Sequence, residues 1–154
     1  RDGAGVGADL NRCFVCHGGV HDAMCVDALR DIDRYQLPSA LHACHDAFSL
    51  LWNDPQDAPG MGLSLDRNGT PAFGPDVTRA FLQRNRLERI VRSHQAQPNG
   101  YAVDHASQCV TIFSAVNYCG CGNDGAVLLV DAEGSCRIET MTGGQVFHLP
   151  TLWL

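Results

Sequence analysis

Residues 13–19 read Cys13-Phe14-Val15-Cys16-His17-Gly18-Gly19, an apolar run that ends in a histidine and two glycines. A short apolar run bounded by glycine predicts a buried β-strand that ends in a sharp turn. The two glycines let the backbone bend tightly beside His17, and an imidazole at a strand end can reach a cation. A lone histidine of this kind is more often structural, so a metal site needs further ligands from elsewhere in the chain.

His94 stands in the same kind of position, because it follows the apolar pair Ile90-Val91 of a second predicted strand. Two strand-end histidines from distant segments are consistent with ligands that converge on one metal centre. Spacing alone does not establish that convergence. The sequence therefore offers His17 and His94 as candidate metal ligands.

The remaining pattern predicts one mixed α/β unit without repeats or linkers. Residues 23–35 have the apolar spacing of a short amphipathic helix, and Asp76 is placed to act as the N-cap of a second helix. Residues 55–75 hold four of the seven prolines and predict a long loop, which in a compact domain is often functional. Further predicted segments are an apolar stretch at 42–52, a helix end that leads into a strand at 87–94, strands at 101–103 and 109–115, a hairpin of 125–130 with 136–141, a loop at 1–10 and a tail at 143–154.

Composition excludes several classes of protein. The 154 residues are 45% hydrophobic and 18% charged, which is ordinary for a globular domain with a core. The formal net charge of −6 argues against nucleic-acid binding, which selects for Lys and Arg. No apolar run approaches the roughly 18–20 residues of a membrane helix, and no signal peptide opens the chain. The first residue is Arg1 rather than Met, so we expect a fragment of a longer protein.

The eight cysteines allow a disulfide framework, a metal site or free thiols. Several of them stand inside apolar runs, where a thiol behaves as a small hydrophobic group. We therefore expect reduced thiols of a cytosolic protein.

Two polar residues extend the list of candidates. Tyr118 follows a predicted strand, where a phenol can line a polar cleft, although a surface tyrosine is about as common there. Arg67 stands in the long loop beside Asn68-Gly69, and a guanidinium on such a loop suits bidentate recognition of phosphate. Without further observations, a solvated arginine is the simpler interpretation.

Six blocks, taken in order, resemble the serine/threonine phosphoprotein phosphatases, and the spacing of the last ones is most similar to the type 2A group. The blocks cover residues 13 to about 131. They are FVCHGG at 14–19, IDRYQ at 32–36, LLWNDP at 50–55, FGPDVT at 73–78, VRSHQ at 91–95 and IFSAVNYC at 112–119.

The resemblance implies an α/β fold, a partial metallophosphatase-like β-sandwich flanked by helices and lacking the N-terminal half. It implies hydrolysis of phosphoserine and phosphothreonine with two divalent metal ions (Mn, Fe or Zn). Carried over by position, His17 and His94 would be metal ligands, Arg67 would hold the substrate phosphate and Tyr118 would line the catalytic cleft. Asn117, Tyr118 and Cys119 would form the loop that binds substrate and natural toxin inhibitors.

The chain also departs from the family pattern. Val116 replaces a proline, Met61 replaces a tryptophan, His21-Asp22 replaces Ser-Pro, and an insertion lies around Leu41–Asp46. The blocks GDxHG, GDxxDRG and GNHE, which carry the remaining ligands and the general acid, do not occur. We therefore expect a single partial catalytic domain over residues 1–154 that is inactive by itself.

Other interpretations stay open at this point. The same fold could belong to a catalytically dead phosphatase-like protein that only binds partners. Cys13-Phe14-Val15-Cys16-His17 matches the c-type haem attachment pattern, with Met61 or Met141 as a distal ligand. A zinc module could use Cys13, Cys16, Cys119 and Cys121, or His42 and His45, although Cys-x-Cys spacing suits structural zinc poorly.

The resemblance further implies phosphoprotein substrates, regulatory or scaffold subunits, and a location in the cytoplasm, the nucleus or both. Type 2A catalytic subunits end in a leucine whose carboxylate can be methylated. Leu154 follows Trp153 at the end of this chain and is the candidate for that modification.

Overall fold

The computed structural model describes residues 12–35, 45–64, 69–131, 135–143 and 145–148. The predicted loop at 1–10 lies outside this part of the chain. The helices are α1 (His45–Trp52) and α2 (Pro75–Asn85), with 3₁₀ helices at Val26–Asp31 and Tyr118–Gly120. The strands are β1 (Cys13–Val15), β2 (Asp54–Pro55), β3 (Met61–Ser64), β4 (Thr70–Phe73), β5 (Arg89–Arg92), β6 (Tyr101–Asp104), β7 (Cys109–Ile112), β8 (Gly125–Val130), β9 (Cys136–Thr142) and β10 (Gln145–His148).

The central sheet has the strand order β1-β5-β7-β6. β1, β5 and β7 run parallel, with Phe14 opposite Ile90 and Ile90 opposite Cys109, while β6 is antiparallel to β7. Successive side chains of a strand point to opposite faces of its sheet. Cys109 and Val110 accordingly belong to different hydrophobic clusters, so both faces of the sheet are covered.

One face of the central sheet packs against helical segments. The cluster on this side includes Ile90 and Cys109 from the sheet, Val77, Phe81 and Leu82 from α2, and Val20, Met24 and Phe73. α2 has the apolar spacing that the sequence indicated. Its N-cap is Gly74 rather than Asp76, and Pro75 occupies the first turn, where a missing N–H costs nothing.

Asp76 binds a neighbouring segment instead of capping its own helix. Its carboxylate accepts a 2.7 Å hydrogen bond from the backbone N–H of Gly60. Hydrogen bonding from Gly60 lowers the pKa of the Asp76 carboxyl. The prediction of an Asp76 N-cap was therefore wrong, because a tertiary contact took the side chain.

The other face of the central sheet packs on a second sheet, ordered β10-β9-β8 and antiparallel throughout. Val110, Ala126 and Ile138 form the buried centre between the two sheets. Two packed sheets with helices on an outer face confirm the predicted α/β sandwich. The hairpin of 125–130 with 136–141 is also confirmed, whereas residues 132–134 lie outside the described part.

The predicted loop at 55–75 is instead a small sheet with the order β2-β4-β3. Proline 71 is tolerated in the middle strand because β2 pairs only with Ala72 and Phe73, one step beyond it. Gly60 and Gly69 carry positive φ angles at the ends of β3 and β4, where the chain turns. The prolines and glycines thus shape short strands rather than preventing them.

Three further expectations needed correction. The amphipathic helix at 23–35 is only the 3₁₀ helix Val26–Asp31. β1 is not fully buried, since Val15 is 72% exposed on this edge strand. The tail at 143–154 contributes β10 through Gln145–His148, which pairs with β9, and its residues 149–154 lie outside the described part. No helix in the described ranges combines the length and the hydropathy that crossing a bilayer requires.

Candidate active site

The parallel pairing of β1 with β5 brings the two candidate histidines together. Each follows its strand by two residues, so both lie at the same edge of the sheet. The backbone N–H of Cys16 donates to the carbonyl of Val91, and that of Ser93 donates to the carbonyl of His17, both at 3.1 Å. Nε2 of His17 and Nδ1 of His94 lie 3.0 Å apart. The two side chains therefore converge in the structure, at the strand ends where the sequence placed them.

His94 has a backbone conformation that side chains rarely adopt. Its φ angle is +69°, in the left-handed region. Non-glycine residues in such conformations cluster at functional sites, where the surrounding structure holds them. The indole of Trp52 contacts the His94 ring edge to face, with ring centroids 5.2 Å apart. The orientation of His94 is thus fixed by its turn and by an aromatic neighbour.

The glycines after His17 are required by close packing on α1. Their backbone N–H groups donate to carbonyls in the last turn of α1, Gly18 to Leu50 at 2.6 Å and Gly19 to Ser49 at 2.8 Å. Carbonyls at the end of a helix often lack partners within it. The Gly18 bond supplies a partner for the Leu50 carbonyl, whereas the Ser49 carbonyl also accepts from the Asn53 N–H at 3.1 Å. A Cβ atom on Gly18 would collide with the backbone of Trp52. The Gly-Gly pair therefore docks the histidine loop directly onto a helix end.

Arg92, the last residue of β5, is the largest fully buried side chain in the described residues. Its guanidinium pairs with the buried carboxylate of Asp54 at 2.8 Å. Burial lowers the pKa of Arg92, and the Asp54 carboxylate opposes that shift. Other hydrogen bonds of the Arg92 guanidinium reach the loops that carry His17 and His94. The sequence assigned Arg92 only to a motif block and gave it no role.

The histidine pair fits a metal ion in donor type and spacing. Two nitrogen ligands that each lie about 2.0–2.1 Å from one ion are roughly 2.9 Å apart at a right angle and roughly 3.3 Å apart at the tetrahedral angle that zinc prefers. The 3.0 Å separation between the His17 and His94 nitrogens lies within that range, and it also allows a direct hydrogen bond between the two rings. In the part of the chain that the structure describes, no group of three or more His, Cys, Asp or Glu side chains is arranged to hold a metal. The pair is therefore a partial ligand set.

Tyr118 lies on a tight, exposed turn. Asn117 and Cys119 on either side of it have φ angles of +50° and +51°. The phenol ring is 51% exposed and contacts the Phe113 ring edge to face. Buried Asn123 holds the turn, since its Oδ1 accepts from the Tyr118 N–H at 2.8 Å and its Nδ2 donates to a backbone carbonyl. The turn thus presents Asn117, Tyr118 and Cys119 to solvent.

Other sequence candidates are not assembled into this site. Arg67 and Leu154 lie outside the described residues, as does His42. Cys13, Cys16, Cys119 and Cys121 are all free thiols and do not form a metal-binding group, so the four-cysteine zinc module is not present. Burial raises the pKa of Cys16 and of Cys109 to about 12, so both are protonated near neutral pH.

Histidines at the ends of adjacent parallel strands of a sandwich indicate a candidate metal site, and comparison with known proteins identifies the family. The family model for "Calcineurin-like phosphoesterase" matches residues 2–98. The chain therefore belongs to the calcineurin-like phosphoesterase family, which confirms the resemblance seen in the motif blocks.

The curated relatives are serine/threonine-protein phosphatases. Serine/threonine-protein phosphatase T of Trypanosoma brucei brucei is 40% identical over 145 residues, 91% of this chain and 29% of the relative. Serine/threonine-protein phosphatase 5 of Homo sapiens is 43% identical over 111 residues, 70% of this chain and 21% of the relative. Type 2A membership is not tested by these two relatives and stays a prediction.

A solved structure of a protein serine/threonine phosphatase from Saccharomyces cerevisiae, with similarity to human phosphatase PP5, has the same fold. It superposes with a TM-score of 0.74 at 32% identity, over 93% of this chain and 47% of that structure. The chain thus spans less than a third of the length of the two curated relatives and about half of the solved one.

Proposed function

We propose that this chain forms part of the active site of a protein phosphatase that hydrolyses phosphoserine and phosphothreonine. The observation that carries the proposal is the 3.0 Å approach of His17 Nε2 and His94 Nδ1. Family membership supports it, because relatives of the chain are named serine/threonine-protein phosphatases.

The residues of the chain have distinct roles in this proposal. His17 and His94 hold metal, with neutral imidazole nitrogens as ligands. Two divalent ions (Mn, Fe or Zn), when bound, would supply Lewis-acid activation of the attacking water and positive charge to offset the phosphate oxygens. Arg67 binds the substrate phosphate through its planar fork of N–H donors, and Tyr118 lines the cleft from its exposed turn.

The proposal extends to the environment of the protein. Substrates are phosphoproteins, and regulatory or scaffold subunits bind the enzyme in the cytoplasm, the nucleus or both. Methylation of the Leu154 carboxylate would remove one negative charge and change partner binding. Mass spectrometry of the cellular protein checks this proposal. A Leu154 carboxylate that remains unmethylated under conditions that methylate type 2A enzymes would contradict it.

A hybrid enzyme tests the catalytic part of the proposal. The matching 111-residue segment of the human phosphatase 5 catalytic domain is replaced by that of this chain, since the two are 43% identical. We expect metal-dependent hydrolysis of a phosphoserine peptide that His17→Ala or His94→Ala each abolish. The exposed His45 serves as control, and His45→Ala should retain activity. A hybrid that folds, binds two metal ions and does not turn over would contradict the proposal.

A further inference from the structure

A single side chain connects the loops that carry the two histidines. Arg92 Nε donates to the backbone carbonyl of Gly18, the residue after His17. Arg92 Nη1 donates to Oε1 of Gln95, the residue after His94, at 2.6 Å. The same guanidinium therefore bonds to the immediate neighbour of each candidate ligand.

The far side of the guanidinium is attached to rigid parts of the fold. Nη2 donates to Asp54 at 2.8 Å and to the Asn53 carbonyl at 3.3 Å. Nη1 also reaches Oγ1 of Thr111 in the central sheet at 3.3 Å. Arg92 is thereby bound both to the sheet and to the segment that follows α1, and its own position has little freedom.

The chemistry of the side chain suits this arrangement. A guanidinium presents five N–H donors in a fixed plane, so it can bond several acceptors in set directions. An ammonium has three donors on a flexible stem and cannot reach the same acceptors together. The buried charge is balanced by Asp54, whose side chain is 1% exposed.

We infer that Arg92 is a positioning residue that sets the spacing of His17 and His94 by holding Gly18 and Gln95. The inference rests on the proposed function, in which the two histidines are metal ligands. Substitution of residues that orient metal ligands through hydrogen bonds typically changes metal affinity about 10–100-fold. A purely structural Arg92 would change stability without changing the affinity of the folded protein.

Copper(II) binding to the complete 154-residue chain separates these two roles. Imidazole suits Cu²⁺, which binds more tightly than the other divalent metals of its row. Affinity is measured by competition with a chelator, and the number of bound imidazoles by electron paramagnetic resonance. The chain has seven histidines, so copper can bind at other imidazoles as well. The copper that is lost in His17→Ala and in His94→Ala is the copper bound by the pair.

We expect Arg92→Lys, which keeps the charge beside Asp54, to weaken this site about 10–100-fold and to remove the two-imidazole signature. Gln95→Ala removes one contact outside the core and should weaken the site by a smaller factor, with little loss of thermal stability. Val110→Ala is the matched control, since it destabilises the same sheet from a fully buried position without touching either loop. Its copper affinity should stay within about twofold of wild type.

The outcomes are distinguishable. If Arg92→Lys and Gln95→Ala bind copper like wild type while His17→Ala and His94→Ala do not, the positioning role is overturned and the ligand pair stands. If neither histidine variant changes copper binding, the ligand pair itself fails and the inference fails with it. Should Arg92→Lys not fold, Gln95→Ala decides alone, and wild-type affinity in that variant overturns the inference.

Discussion

In the proposed enzyme, Arg67 contributes one charge-assisted contact to the substrate phosphate. In the hybrid enzyme, Arg67→Ala removes a charge-assisted bond of roughly 1.5–3 kcal/mol, so activity should fall about ten- to a hundredfold. Arg67→Lys should restore only part of it, because lysine lacks the planar fork. Steady-state hydrolysis of a phosphopeptide measures the activity of both variants. The control is Arg79→Ala, which removes an exposed arginine on α2. Activity of Arg67→Ala within about twofold of the parent would place phosphate binding elsewhere.

The cysteines should differ sharply in reactivity. Only the thiolate reacts readily, and a pKa of about 12 keeps Cys16 and Cys109 protonated until the pH approaches that value. Cys119 and Cys121 are exposed. At pH 7.5, iodoacetamide should therefore modify Cys119 and Cys121 well before Cys16 and Cys109, as mass spectrometry of native protein can show. Raising the pH should speed modification of Cys16 and Cys109 only in strongly alkaline solution.

Denatured protein is the control, since all four thiols should then react alike. Equal rates for Cys16 and Cys119 in native protein would show that β1 opens readily.

Sequence reasoning at this scale succeeded where position within a strand decides the outcome. His17 and His94 were both placed at strand ends, and the parallel pairing of β1 with β5 brings those ends together. The roles of Arg92 and Asn123 were not predicted, because hydrogen bonds to residues distant in sequence leave no local pattern. Asp76 was misassigned for the same reason.

Among the elements, strands with apolar runs were predicted well, and short strands rich in glycine and proline were not. β5, β6, β7 and the β8–β9 hairpin follow from apolar or alternating patterns. The β2-β4-β3 sheet was missed, since its strands pair over only two to four residues and depend on tertiary contacts. β10 was missed because a terminal strand is stabilised by the partner it pairs with.

A contact between elements explains two departures from the family pattern together. His21 replaces a serine, and Asp46 belongs to the inserted segment. In the structure, His21 Nε2 lies 2.5 Å from Asp46 Oδ1 in the first turn of α1. His21 Nδ1 accepts a hydrogen bond from the Ala23 backbone at 3.2 Å. His21 and Asp46 thus form one bridge between α1 and the segment after the glycine pair.

We expect His21→Ala to lower the free energy of unfolding by about 1–3 kcal/mol, because it leaves partly buried groups without their partner. Asp46→Asn keeps an acceptor for the imidazole N–H and should cost less. Urea denaturation of His21→Ala, Asp46→Ala and the double variant His21→Ala/Asp46→Ala measures the coupling between the two residues. Strictly additive losses would show that the bridge contributes nothing to stability.

For the whole molecule, we expect the 154-residue chain alone to show no phosphatase activity. The described residues bring together two imidazoles, which supply no carboxylate charge to balance a pair of divalent ions. Absence of a general acid typically costs a further 10²–10⁴ in rate. Hydrolysis of an aryl phosphate by purified chain, with and without Mn²⁺, checks this. Turnover that disappears with a chelator and with His94→Ala would mean that other residues complete the ligand set.

Exposed apolar side chains beside the two histidines predict how the chain alone behaves in solution. Val15 on the edge strand β1 is 72% exposed, and Leu51 and Trp52 are also exposed beside the histidines. An edge strand with apolar neighbours invites further pairing. The chain alone should therefore tend to associate, which size-exclusion chromatography at increasing concentration would reveal.

The parallel pairing of β1 with β5 also has a consequence for the order of folding. The β8–β9 hairpin joins residues close in sequence, from Val130 opposite Cys136 outward, whereas Phe14 pairs with Ile90 far along the chain. Closing a long loop costs more conformational entropy than closing a short one, so distant pairings form later. We expect β1 to dock after the hairpin and the β5–β7 pair. The two histidines would then meet only in a late step of folding, and a nascent chain could not bind metal through both of them before that step.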